Sequence, residues 1–373
     1  MTPPLLPTRE DADPALVETP IGVVDLAKAR ANAEKVAAYA RSHGLRWRPH
    51  IKTHKSRTVA RIQLEAGARG LTVATLREAE VMAQVTPDLL LAYPPVGSAK
   101  LERLLGLPEA VDLKVALDAR EVLEPLARAA REAGRTVGVL VEMDMGLGRV
   151  GVQDPDALVA LARAAASTDG VAFRGMLFYP GHIRMTEGEQ APHLAAVAAR
   201  LSGALDALAA EGLDPEIVSG GSTPTLWRSH EIPGMTEIRS GSCIFFDREA
   251  VRIGVAAPAD LAYTVLATVV STAVPGKAVV DAGSKALAAE LRADRGFGFL
   301  LDHPEVLVSS LSEEHGVLDL GGSAWRPAIG ERVRIVPNHV CVSVNLQDRL
   351  VAEDADTYSI LPIEGRGRGR WSA

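Results

Sequence analysis

From Pro20 to about Asp247 the chain alternates short apolar runs with longer stretches in which apolar residues recur every three or four positions. The first pattern predicts strands and the second amphipathic helices. Strands are expected at 21–26, 45–53, 70–74, 88–93, 111–117, 136–143, 171–179 and 216–219. Helices are expected at 27–43, 57–66 and 119–133, through Glu78 and Glu80, after Asp154, and from about Pro192 to Glu211. Eight strand–helix repeats of about 25–30 residues predict a (β/α)8 barrel of the TIM type. A doubly wound open sheet is the competing reading, but no Gly-x-Gly-x-x-Gly follows the first strand.

From about Arg252 the helical period fades, and short β-rich runs take over at 262–273, 277–281, 306–311, 332–336 and 339–344. The expected fold class is therefore α/β, with a barrel over 20–250 and a mainly-β domain over 251–373. Residues 1–19 are expected to pack with the β domain.

Composition narrows the function classes. The 373 residues are 47% hydrophobic, enough for a large core, and the formal net charge of -7 argues against a nucleic-acid partner. Two distant cysteines, Cys243 and Cys341, suit a reducing compartment and not a disulfide framework. No window reaches the length of a membrane span, and the first residues lack a signal-peptide pattern. A cytoplasmic protein without membrane partners is expected.

Candidate chemistry begins at Arg48-Pro-His-Ile-Lys-Thr-His-Lys55. Strand alternation would put His50, Lys52 and His54 on one face. A desolvated lysine there is a nucleophile towards an aldehyde, of which pyridoxal phosphate (PLP) is the commonest protein-held example. A strand edge of mixed charge would look the same. Catalytic groups of such barrels sit at the C-terminal ends of strands. Arg149 in Asp144-Met-Gly-Leu-Gly-Arg149-Val-Gly151 could face an anion. Tyr179 and His182 in Tyr-Pro-Gly-His could stack on a flat cofactor. Ser219, Gly220, Gly221, Ser222 and Thr223, with Gly241 and Ser242 of Arg239-Ser-Gly-Ser242, could form a phosphate cup. Each has a plainer reading as a salt bridge, a loop histidine or a glycine turn.

His339 and Cys341 lie two apart in a run expected to be a strand, so both would point one way. An imidazole and a thiolate suit Zn²⁺, with Mn²⁺ or Mg²⁺ as alternatives. A buried cysteine beside a core histidine is the bland alternative. His315 is a further candidate or a turn residue.

Together these motifs resemble the D-threonine aldolase and D-serine dehydratase group of fold-type III PLP enzymes, relatives of alanine racemase. The resemblance runs from Thr19-Pro20 to about Asn345, through the motifs above, Asp281-Ala-Gly-Ser-Lys285 and Ser312-Glu-Glu-His-Gly316. It implies Lys52 as the Schiff-base lysine, with Lys55 a neighbour. It implies His339 and Cys341 as metal ligands, the 219–223 loop with Gly241 and Ser242 as the phosphate site, and His50, Tyr179 and His182 near the ring or substrate. It further implies a homodimer acting on small D-amino acids. The implied reaction is dehydration of a D-β-hydroxy amino acid to a keto acid. The alternatives are retro-aldol cleavage, racemisation, and non-catalytic PLP binding. Racemisation is disfavoured by the absence of the racemase Gly-Tyr-Ala-Asp-Gly motif.

Overall fold

The structure is a computed structural model that describes residues 13–291 and 295–371. These divide into two compact units, one of 34–241 with 364–371 and the other of 13–33 with 242–363. Among the described residues, no helix is long and apolar enough to cross a membrane.

The first unit is built on eight parallel strands. In spatial order they are Arg46–Trp47, Glu237–Ile238, Ile217–Gly220, Val171–Leu177, Val137–Glu142, Asp112–Leu117, Asp88–Leu91 and Leu71–Val73. A parallel bridge between His50 and Thr72 joins the two ends of this order and closes the barrel. Leu90, Ala116, Leu140, Leu177 and Ile217 form one buried cluster on neighbouring strands. Strand alternation puts Leu90 on the face of Asp88, Ala116 on that of Lys114 and Ile217 on that of Ser219. Helices such as Arg57–Glu65 and Pro155–Ser167 alternate with the strands. Asp154 caps the second of these through the Ala157 N–H, with Pro155 at the first helical position.

The second unit holds a nine-stranded sheet. Its order is Lys277–Val280, Gly316–Asp319, Leu307–Leu311, Gly298–Leu300, Arg332–Pro337, Tyr263–Ser271, Ile21–Asp25, Arg349–Asp354 and Thr357–Pro362. Lys277–Val280 also pairs with Tyr263–Ser271, which closes the first six strands into an antiparallel barrel.

Two expectations need correction here. Ile21–Asp25 is a strand but does not open the parallel barrel. It runs antiparallel to Tyr263–Ser271 and parallel to Arg349–Asp354. A short apolar run reports burial on both faces and not which sheet provides it. The barrel's eighth place goes to Glu237–Ile238, a strand of two residues that periodicity cannot register. In addition, 339–344 is no strand. Pro337 ends the preceding strand, and Val340–Leu346 is a helix.

Candidate active site

Lys52 does not sit on a strand. The barrel strand stops at Trp47, and Lys52 lies in the 3-10 turn Ile51–Thr53. His50, Lys52 and His54 therefore do not share a strand face. His50 accepts the Lys52 N–H through Nδ1 at 3.4 Å, and His54 is fully buried with Nε2 3.1 Å from Gln63 Oε1. The turn leaves Lys52 exposed, with Nζ 5.8 Å from the centre of the Tyr179 ring. The neighbouring Lys55 is paired with the buried Glu78 at 2.9 Å. Burial, with the cations Lys52, Arg239, Lys55 and Arg149 around it, holds the His50 imidazole well below its usual pKa and so neutral.

Tyr179 follows strand Val171–Leu177 and gathers two cations, since the Arg149 guanidinium lies 5.1 Å from the same ring. Arg149 is presented by a loop that Asp144 organises. The Asp144 carboxylate accepts N–H groups from Gly146, Leu147 and Gly148 at 3.0–3.3 Å. A cleft beside them is lined by Glu142, Met143, Asp144, Leu147, Arg149, Val150 and Tyr179. His182 packs against the same loop, where a Cβ on Gly146 would come within 3.2 Å of its ring. Its Nδ1 is buried with no hydrogen-bond partner among the described residues, and burial followed by His193 lowers its pKa.

The glycine-rich loop after strand Ile217–Gly220 reaches the turn at Gly241. Gly221 has φ +81°, which suits glycine. A Cβ on Gly241 would lie 2.2 Å from the His50 carbonyl oxygen, so only glycine lets the two backbones approach. Among the described residues, no hydrogen bond engages the backbone N–H groups of Gly221, Ser222, Thr223 or Gly241. Free, near-buried donors of this kind would suit an anion cradle. An exposed lysine, an adjacent aromatic ring and this cradle fit an aldehyde cofactor that carries a phosphate. Ser219 differs from its neighbours: its hydroxyl hydrogen-bonds Glu237 Oε1 at 2.7 Å.

Three groups carry no role in the sequence reading. Glu142 ends an apolar strand as a buried carboxylate, and burial raises its pKa against the pull of Arg239 and Arg149. Arg239 is buried, and its pKa is drawn down to about 10 by burial. Glu237 lies beside both Ser219 and Arg48. The available signal was a charged residue inside or ending an otherwise apolar strand.

In the second unit, Asn338 pins the turn after Pro337. Its Nδ2 donates to the carbonyls of Glu290 and Gly296, and its Oδ1 accepts from Arg248. Asp247 caps helix Arg248–Arg252 through Ala250 N–H and receives Val340 N–H at 3.1 Å. The result fixes His339 just before helix Val340–Leu346 and Cys341 in its first turn. His339 Nδ1 lies 2.8 Å from Glu290 Oε2. Glu290 is 49 positions away, and nothing in the sequence linked the two. Among the described residues, no three His, Cys, Asp or Glu side chains gather as a metal cage. His315 is exposed in the turn between Leu307–Leu311 and Gly316–Asp319, where its carbonyl accepts the Ser312 N–H. Ser242 heads the turn Ser242–Ile244.

Residues 24–249 match the model of the alanine racemase N-terminal domain, and residues 262–352 match a putative serine dehydratase domain. The chain is 33% identical to the 3-hydroxy-D-aspartate aldolase of Paracoccus denitrificans (strain Pd 1222), covering 98% of this chain and 96% of that protein. It is 35% identical to the D-threo-3-hydroxyaspartate dehydratase of Delftia sp. (strain HT23), covering 88% and 92%. Among solved structures, the D-threonine aldolase of Filomicrobium marinum superposes with a TM-score of 0.88 at 32% identity, covering 95% of this chain and 97% of that one. The Delftia dehydratase superposes with a TM-score of 0.85 at 32% identity, covering 96% and 99%. With both domain matches in register along one chain, this protein belongs to the alanine racemase-like family of PLP-dependent lyases that act on D-hydroxy amino acids.

Proposed function

We propose that this chain dehydrates a D-β-hydroxy amino acid, giving a keto acid and ammonia, with PLP and a divalent metal as cofactors. The observation that carries this choice is Cys341 two positions after His339. Structures of D-threo-3-hydroxyaspartate dehydratase include a variant with a histidine replaced by alanine. They also include a metal-free form with a cysteine two positions later replaced by alanine. His339 and Cys341 repeat that spacing.

When bound, PLP supplies an electron sink that acidifies the substrate α-carbon, and the metal supplies a Lewis acid for the β-hydroxyl. Lys52 would be the amine that holds the cofactor and the base for the substrate α-proton. Tyr179 packs beside it, and Arg149 provides a cation for a carboxylate. The backbone donors of Gly221, Ser222, Thr223 and Gly241 receive the phosphate, with Gly220 shaping the loop and Ser242 adjoining it. His50, held neutral, supports the turn, and His182 borders the Asp144 loop. His339 and Cys341 would hold the metal, with Glu290 orienting the imidazole through Nδ1. A thiolate ligand favours Zn²⁺ over Mn²⁺ or Mg²⁺. A homodimer completes the proposal, and light scattering tests it.

The second reading is aldol cleavage, supported by two aldolase relatives that cover 98% of the chain. Incubation with D-serine, D-threonine and D-threo-3-hydroxyaspartate separates the two. Keto acid plus ammonia supports dehydration, and glycine plus an aldehyde replaces it with aldol cleavage.

A further inference from the structure

A line of charged groups crosses the interior of the parallel barrel. Lys114 Nζ lies 2.6 Å from Asp112 Oδ2 and 2.8 Å from Asp88 Oδ1. Asp88 pairs with Arg48, whose Nε lies 3.0 Å from both oxygens of Glu237. Glu237 Oε1 accepts the Ser219 hydroxyl at 2.7 Å. Arg239 then donates from Nη1 to Ser219 Oγ and from Nη2 to the Phe178 carbonyl, both at 2.7 Å. Arg48, Glu237, Ser219 and Arg239 are all 6% exposed or less.

The direction of each bond is fixed by chemistry. A guanidinium only donates, a carboxylate only accepts, and a serine hydroxyl has one proton. Ser219 therefore donates its one proton to Glu237 and accepts from Arg239, which leaves no donor for a phosphate. The neighbouring backbone donors are under no such constraint.

We propose that Ser219 and Glu237 are positioning residues that fix the Arg239 guanidinium at the barrel mouth, and that Ser219 is not a phosphate ligand. This rests on the reading of the site as a PLP lyase. Arg239 follows strand Glu237–Ile238 at its C-terminal end, where barrel chemistry is placed. Its neighbours Glu142 and Glu237 oppose the effect of burial, so it stays charged at neutral pH. A fixed cation there stabilises negative charge that develops on a bound group during proton removal, without reorganisation. Its value depends on being held still, and the hydroxyl of Ser219 is the link between Arg239 and the buried Arg48–Glu237 pair.

The test compares Ser219→Ala, Ser219→Thr and Glu237→Gln with the wild type. PLP affinity is read by titrating the apoprotein, the pH midpoint of the visible band by absorbance, and kcat and KM on the loaded enzyme. Ser219→Ala is expected to keep PLP affinity within about threefold, to move the midpoint of the band, and to lower kcat about tenfold or more with little change in KM. Ser219→Thr, which keeps the hydroxyl, restores the midpoint. Adding Glu237→Gln to Ser219→Ala costs less than the two separate losses combined, because both break one link. If Glu237→Gln does not fold, the two Ser219 variants decide the matter alone. Ser219→Ala with wild-type kcat and an unmoved band overturns the assignment, whatever its PLP affinity. Wild-type apoprotein that binds no PLP overturns the underlying lyase reading, and is recognised before any variant is made.

Discussion

His339 Nδ1 sits 2.8 Å from the carboxylate of Glu290, a residue far away in sequence and on no strand. A carboxylate on one ring nitrogen fixes the tautomer and directs the other nitrogen outward, as in many metal sites. Glu290→Gln is expected to weaken divalent-metal affinity by about tenfold to a hundredfold, as loss of a carboxylate that orients a metal-binding imidazole does. Competition with a chromogenic chelator measures this. Unchanged affinity would separate the Glu290 contact from metal binding.

The two neighbouring lysines should behave oppositely. Lys52 is exposed, whereas Lys55 neutralises the fully buried Glu78. Lys52→Ala is expected to abolish the visible absorbance band of bound PLP while shifting stability by only about 0.5 kcal/mol. Lys55→Ala strands a buried carboxylate and is expected to cost about 3–5 kcal/mol. Absorbance spectra and urea unfolding of both variants provide the check, and a normal band in Lys52→Ala would remove it as the anchor.

Acid should destabilise the barrel through His54. Its Nδ1 accepts the Ser56 N–H at 3.1 Å while Nε2 meets Gln63, so the ring folds neutral. Burial lowers its pKa from 6.5 to about 4. Between those values the unfolded chain binds the extra proton. The stabilisation is complete above pH 6.5 and is lost as pH falls towards 4, a change of about 3 kcal/mol. Urea unfolding at pH 7 and pH 4.5 should show a slope that is reduced by about one proton in His54→Gln. An equal slope in the variant would contradict this.

Gly241→Ala tests the cradle. The added methyl would meet the His50 carbonyl at 2.2 Å, and neither backbone can yield without opening the turn. A stability loss of about 1–3 kcal/mol is expected, as for other forced insertions. Weaker PLP binding should accompany it. Wild-type PLP affinity would place the phosphate elsewhere.

The legible parts of this chain were those that repeat. Strand–helix alternation exposed the barrel and seven of its eight strands, because each repeat buries a recognisable apolar face. The eighth strand was illegible because two residues have no period, and its Glu237 reads as a surface residue until Arg48 is placed against it. Ile21–Asp25 showed its burial but not its partners. The Lys52 and His339–Cys341 motifs suggested a chemistry through residue type, while their local geometry was misread. Both lie where Pro49 or Pro337 interrupts a strand, so alternation no longer applies. Glu290 could not be found, since only the fold brings it to His339.

The most direct measurement is product analysis on D-serine, D-threonine and D-threo-3-hydroxyaspartate, before and after treatment with EDTA and restoration of Zn²⁺. Keto acid and ammonia should form in equal amounts, vanish with the metal and return with it, while PLP stays bound. Glycine with an aldehyde, or undiminished keto acid from metal-free protein, would contradict the dehydratase assignment.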